Sequence, residues 1–181
     1  MTLKPWQVIE ETVSFDDPYI KLITQQIKLP TGAILDRFQL LKSRSWAATV
    51  ALTADKQLIL VEQYRHGHGG LSLELPAGVI EADENPMAAA LREFEEETGY
   101  AAQEIEPFWT IRPEPARHQQ WAHFGFVREA SWTGRVAPDA TEDLRVVLRP
   151  LEQLDEILSQ MVHAVHVGAL LLAIRKGLIV V

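Results

Sequence analysis

Between Gly78 and Tyr100 the chain reads GVIEADENPMAAALREFEEETGY, and no other segment limits the fold and the chemistry so strongly. Four acidic residues, Glu93, Glu95, Glu96 and Glu97, fall in one predicted helix just after a Pro-Ala-Gly turn at 76–78. Like charges four residues apart on an exposed helix repel by about 0.2–0.5 kcal/mol per pair. A bound divalent cation would offset that repulsion. The alternative is a solvated acidic face with an Arg92–Glu96 pair, as charged helix faces commonly are.

The helix itself is well specified. Asn85 suits the N-cap, Pro86 the first helical position and Gly99 the left-handed position beyond the end. Met87, Ala90, Leu91, Phe94 and Thr98 recur at helical spacing and predict one buried stripe. Glu93 and Glu97, one turn apart, lie on a neighbouring face with Glu96 beside them. Carboxylate ligands of this kind suit Mg²⁺ or Mn²⁺, which retain waters and share phosphate oxygens with a substrate.

The full spacing, Gly78, Glu84, Arg92, Glu93, Phe94, Glu96, Glu97, Gly99, Tyr100, resembles the Nudix hydrolase box, with every fixed position filled. Phe94 and Tyr100 are aromatic where that family more often has aliphatic residues. The likeness extends to Val61-Glu62-Gln63-Tyr64-Arg65, to Leu73-Glu74-Leu75-Pro76-Ala77-Gly78, to Pro115 and to Glu142-Asp143, and resembles the ADP-ribose pyrophosphatase branch. It covers roughly residues 45–176.

The resemblance implies metal-dependent hydrolysis of ADP-ribose or a related nucleoside diphosphate sugar, giving AMP and a sugar phosphate. It implies Glu93, Glu96 and Glu97 as metal ligands and catalytic groups, with the Ala77 carbonyl as a further ligand. Glu142 is the implied general base by position, with Glu114 or His118 as the alternatives. Arg65, Glu74, Arg117 and His118 are candidates for substrate contacts; a surface Arg at a strand end and a polar surface loop are the plainer readings of Arg65 and of 112–120. Arg92 and Glu84 are expected to brace the box, and Gly78 and Gly99 to serve backbone conformation. The loop 112–120, RPEPARHQQ, departs from the Ser-Pro-Gly run of many relatives, which bears on specificity more than on reaction class. The other readings are hydrolysis of GDP-mannose, NADH or a dinucleoside polyphosphate, a nucleotide-sugar sensor without catalysis, and a plain structural protein.

Strands dominate the rest of the chain. Segments 6–15, 19–29 and 33–41 alternate or are β-branched, broken at Asp16-Asp17-Pro18 and Pro30-Thr31-Gly32. They predict a small antiparallel sheet over residues 1–44, marginal alone, which the resemblance casts as a homodimerisation subdomain. Residues 46–53 and 57–63 read as a hairpin around Asp55-Lys56; 71–75, 108–112, 121–128 and 144–148 read as further strands. Segments 151–160 and 163–176 read as helices, the second stopped by Gly177. The expected class is α+β: a Nudix α/β/α sandwich with a mixed sheet over 45–181, plus the N-terminal sheet.

Composition narrows the partners. With 17 Lys and Arg against 25 Asp and Glu, the net charge of −8 argues against nucleic acid or an anionic membrane as partner. An anionic substrate must then be drawn in locally, by metal and a few cationic side chains. No cysteine is present, which removes disulfides, thiol catalysis and Cys-ligated zinc. The apolar run at 167–174 is ended by Arg175 and Lys176, far short of a bilayer span, so a soluble cytoplasmic protein is the expectation.

Overall fold

The computed structural model describes residues 3–137 and 143–180. The chain forms two compact units, one of residues 1–45 with 112–121 and one of residues 46–111 with 122–181.

In the first unit, β1 (Gln7–Asp16), β2 (Ile20–Lys28) and β3 (Ile34–Ser43) make an antiparallel meander. Asp17 closes the first turn by accepting from the backbone N–H groups of Tyr19 and Ile20, at 2.7 and 2.8 Å. Gly32 in the second turn adopts a φ of 89°, a conformation that favours glycine. Ile23, Gln25 and Ile27 of β2 are buried, whereas every residue of β1 is exposed. The segment 112–120, expected as a loop, contains a strand: its His118–Gln119 stretch runs parallel to β3, pairing His118 with Leu41. A two-residue strand made by pairing 77 residues away carries no local pattern for the sequence to reveal.

The second unit is built on β4 (Trp46–Thr53) and β5 (Gln57–Arg65). Its sheet also holds β6 (Gly70–Glu74), β7 (Ala77–Val79), β8 (Tyr100–Ala101), β9 (Glu106–Ile111), β11 (Ala122–Trp132) and β12 (Leu144–Pro150), with the 118–119 strand of the first unit counted as β10. β4 and β11 run parallel, and the remaining pairs are antiparallel, so the sheet is mixed. The helices are α1 (Pro86–Thr98), α2 (Leu154–Gln160) and α3 (Ala164–Arg175), with a 3-10 turn at Leu151–Gln153 preceding α2.

Alternate side chains of the central strands serve opposite layers. Ala51, Ile59, Val127 and Ala130 pack with Phe94 of α1. Ala48, Val50, Leu58, Leu60, Phe124 and Phe126 pack with Ile157 of α2 and Ala169, Leu170 and Ala173 of α3. Strands covered on both faces read as near-continuous apolar runs, which is why Trp46–Thr53 carries so little polarity. The one polar residue in the middle of β4, Thr49, donates its hydroxyl to the Ala90 carbonyl at 2.9 Å. This is the expected α/β/α sandwich.

The Pro-Ala-Gly segment departs from its expected form. Ala77–Val79 is a short strand that pairs with Trp46–Ala48, taking over the first half of β4, while β5 pairs the second half at Ala51 and Leu52. The expected 46–63 hairpin therefore splits open at its base, and β7 fills the gap. Among the described residues, no helix is long and apolar enough to cross a membrane.

Candidate functional site

Helix α1 starts as its sequence requires. The Asn85 side-chain oxygen accepts from the N–H groups of Met87 and Ala88 at 2.8 and 3.4 Å, and Pro86 follows. Gly99 closes the helix with a φ of 70°, its N–H donating to the Glu95 carbonyl at 2.9 Å. A Cβ there would also collide with Trp132, Val136 and the Arg135 carbonyl, so this glycine is required twice over. The segment 133–137 lies on the same helix end, with Ala137 N–H donating to the Glu96 carbonyl at 2.9 Å. Residues 138–142, and with them Glu142, lie outside the described residues.

The buried side of α1 is Ala89, Ala90, Phe94, Glu97 and Thr98. Met87 and Leu91 of the predicted stripe are only partly buried, and the unexpected member is Glu97, 2% exposed. A carboxylate at that depth needs a partner. The Ala77 backbone N–H donates to Glu97 Oε2 at 2.9 Å, tying the helix to β7. Glu93 leans over the next residue of the same strand. A Cβ on Gly78 would fall on the Glu93 carboxyl group, so Gly78 is present for close approach, with no positive φ demanded of it.

Arg92 joins these groups. Its guanidinium bonds Glu84 through Nε and Nη2 at 3.0 and 3.1 Å, Glu93 Oε1 through Nη1 at 2.9 Å, and Glu96 Oε2 through Nη1 at 3.1 Å. Nη2 also donates to the Val79 carbonyl at 3.2 Å. Hydrogen bonds from Arg92 hold the Glu84 carboxyl below its usual range, and the Glu84 bonds raise Arg92 further above its own. Glu84 in turn accepts from Glu81 N–H at 2.9 Å, so it fastens the loop before the helix. One guanidinium thus links the loop carboxylate Glu84 to Glu93 and Glu96 of the helix.

The three box carboxylates offer only hard oxygen donors, which suit Mg²⁺ or Mn²⁺. Among the described residues, no three His, Cys, Asp or Glu side chains are gathered as closely as a metal site needs. The charge of Arg92 instead sits between Glu93 and Glu96, the place a cation would have to compete for. In donor type and charge the residues fit a hard divalent ion.

A second buried carboxylate stands at the other end of the 74–77 segment. Glu74, 1% exposed, takes a two-pronged contact from Arg65, Nε to Oε1 at 2.8 Å and Nη2 to Oε2 at 2.6 Å. Burial pushes the Glu74 carboxyl up, but the Arg65 hydrogen bonds and charge outweigh it and leave the group below its usual range. Both residues were substrate candidates; here each is engaged with the other, and Arg65 keeps 46% of its side chain exposed.

Arg117 and His118 belong to the first unit. The Arg117 guanidinium stacks 4.4 Å over the Phe38 ring and donates to the Gln39 carbonyl at 3.2 Å. His118 Nε2 lies 2.7 Å from Ser43 Oγ, and burial lowers its pKa. Both side chains fasten the 112–121 segment to β3.

Sequence reasoning passed over two histidines. His163 and His166 lie at the start of α3, their rings stacked with centroids 4.1 Å apart, and Trp46 meets both edge-on. Two histidines three apart at the head of an otherwise apolar helix were the available signal.

The chain is similar to known proteins. The chain is 32% identical over 117 residues to ADP-ribose pyrophosphatase of Bacillus subtilis, covering 65% of this chain and 63% of that protein. It is 36% identical over 97 residues to the methanol dehydrogenase activator of Bacillus methanolicus, covering 54% of this chain and 51% of that one. The chain thus spans less than two thirds of either relative's length. A crystal structure of an ADP compounds hydrolase superposes with a TM-score of 0.87 over 98% of this chain and 96% of that one, and at 20% identity it shows the shared fold. The NUDIX domain matches residues 43–169, a span that includes the whole box, and the chain therefore belongs to the Nudix family.

Proposed function

We propose that the chain is a metal-dependent pyrophosphatase that hydrolyses ADP-ribose or a related nucleoside diphosphate sugar to a nucleoside monophosphate and a sugar phosphate. The observation that carries this reading is the complete box folded against β7, with Glu93 over Gly78 and Glu97 on the Ala77 N–H. Support for the substrate class comes from the B. subtilis relative and from the ADP-sugar pyrophosphatase of Mus musculus, 57% identical over 49 residues, 27% of this chain and 22% of that protein.

In this reading Glu93, Glu96 and Glu97 hold the ion, with the Ala77 carbonyl as a further ligand. A hard divalent ion held there would offset the charge of the phosphate oxygens and lower the pKa of a bound water. Arg92 keeps Glu93 and Glu96 on one side of the helix, and Glu84 keeps Arg92 in place. Glu74 orients Arg65, whose exposed part meets the diphosphate. Glu142 takes the proton of the attacking water. The water oxygen adds to one phosphorus, the bond to the bridging oxygen breaks, and that oxygen leaves with the other phosphate.

The test is incubation with Mg²⁺ and ADP-ribose, ADP-glucose, GDP-mannose, NADH or diadenosine polyphosphates, with products resolved by chromatography. AMP and ribose 5-phosphate, strongest from ADP-ribose and abolished by EDTA, are expected. Cleavage of another compound would keep the chemistry and move the substrate. Tight binding without cleavage of any would replace the enzyme by a sensor.

The same proposal makes the first unit a homodimer contact in a cytoplasmic protein, on the strength of apolar side chains left about half exposed on β1, such as Val8, Val13 and Phe15. Light scattering should return about twice 20.4 kDa. A clean monomer removes this part.

A further inference from the structure

The short segment Leu75-Pro76-Ala77 links β6 to β7 and lies between two buried carboxylates, Glu74 and Glu97. It belongs to no strand until Ala77, so its polar backbone groups need partners from elsewhere. Three of them find three different partners. The Pro76 carbonyl accepts from Thr49 N–H at 3.0 Å, and Ala77 N–H donates to Glu97 at 2.9 Å. Leu75 N–H donates to His166 Nδ1 at 3.3 Å. Proline 76 has no N–H, so the histidine and Glu97 receive the only two donors of the segment.

We infer that His166 is a positioning residue for the box: through the Leu75 N–H it fixes the backbone that presents the Ala77 N–H to Glu97. Its setting suits that task. The ring is 1% exposed and clamped by His163, Trp46 and Phe124, at centroid distances of 4.1, 5.4 and 6.2 Å. A ring held on several sides keeps its acceptor in one place, where a lone side chain would rotate. The role requires a neutral ring with the proton on Nε2, since a protonated Nδ1 would face the Leu75 N–H with a second donor. Burial and the neighbouring His163 keep the ring neutral, with a pKa lowered to about 3. Glu74 Oε2, 4.0 Å from His166 Nδ1, is beyond hydrogen-bond reach; its charge favours a proton on the ring, but burial outweighs it. Without the acceptor, a buried N–H is stranded, which favours movement of the segment.

This inference deepens the metal-site reading and rests on it for its consequence, but its first tests need neither metal nor substrate. In the long-range ¹H–¹⁵N spectrum of the unaltered protein, His166 should be the Nε2–H tautomer. An Nδ1–H tautomer overturns the inference outright. The second test compares His166→Asn, whose side-chain oxygen can take the place of Nδ1, with His166→Leu, similar in size but without an acceptor. In His166→Leu the Leu75 amide should exchange with solvent about tenfold faster or more, the loss expected for a hydrogen bond worth about 1.4 kcal/mol, and the Ala77 amide proton resonance should move. His166→Asn should restore both. Equal behaviour of the two variants, or a better Leu variant, would mean that the ring only fills space.

The Mn²⁺ affinity read by electron paramagnetic resonance and the kcat on ADP-ribose should follow the same order, with KM changed less. If the unaltered protein cleaves nothing while the amide contrast holds, the enzyme reading fails and the backbone role of His166 stands. If turnover is normal while the two variants are equal, the reverse is true.

Discussion

Strands β1 and β4 stand at opposite extremes. β4, WAATVALT, is buried from Ala47 to Thr53 and feeds a helical layer on each side, whereas β1, QVIEETVSFD, is exposed along its whole length. The first is held by burial. The second is held by its pairing with β2 and by polar contacts such as Ser14 Oγ with Thr24 Oγ1 at 2.6 Å. The difference shows where a change of side chain will be felt: in the box-bearing unit packing and chemistry share the same residues, while in the N-terminal sheet the backbone carries most of the structure.

Acidic residues break the comparison most sharply. Glu97→Gln should lower ADP-ribose turnover by about 10³-fold, the several kcal/mol expected when a metal-holding charge is lost. Glu10→Gln, on exposed β1, should leave it unchanged. Equal rates for wild type and Glu97→Gln, measured with Mg²⁺ in excess, would remove Glu97 from the metal site.

Aromatic residues follow. Phe94 is fully buried and Phe15 is 50% exposed. Phe94→Ala should cost about 3–5 kcal/mol in urea unfolding, against less than about 0.5 kcal/mol for Phe15→Ala when the protein is dilute. A large, concentration-dependent loss for Phe15→Ala would show that β1 is covered by a second copy.

Arg65→Ala tests the buried pair. Leaving Glu74 uncompensated costs up to about 3–5 kcal/mol in a fully buried pair, and about 1–3 kcal/mol here because the guanidinium is half exposed. The pH dependence has a defined sign. Glu74 titrates below the usual carboxylate range in the folded chain, so its pair stabilises fully above that range and loses this contribution as pH falls through the lowered folded value. His166 adds in the same direction, because below its ordinary pKa of 6.5 only the unfolded chain takes up the proton. Thermal melts should therefore fall steadily from pH 7 to pH 4. In Arg65→Ala the Glu74 leg should reverse, since burial alone raises a carboxyl pKa.

A smaller loss than that of Arg65→Ala is expected at a turn of the first unit. Gly32→Ala meets open space but must adopt a φ of 89°, and it should cost about 1 kcal/mol by thermal unfolding. A negligible change would mean that the β2–β3 turn tolerates another conformation.

What could be read in the chain was local. Asn85, Pro86 and Gly99 mark the ends of α1, the unbroken apolar run of β4 announces two covered faces, and the box spacing identifies the family, because caps, periodicity and motif spacing depend only on near neighbours along the backbone. Tertiary structure decided the rest. Ala77–Val79 became a strand because β4 offered a free stretch of edge. The 112–121 segment joined the N-terminal sheet because β3 could pair with it. Glu97 could be buried because the Ala77 N–H, 20 residues away, satisfies it, and His166 acquired a role because Leu75, 91 residues away, needed an acceptor. Each of these turns on a polar group finding its partner across the fold, and a linear pattern of apolar and polar residues carries no record of such pairings.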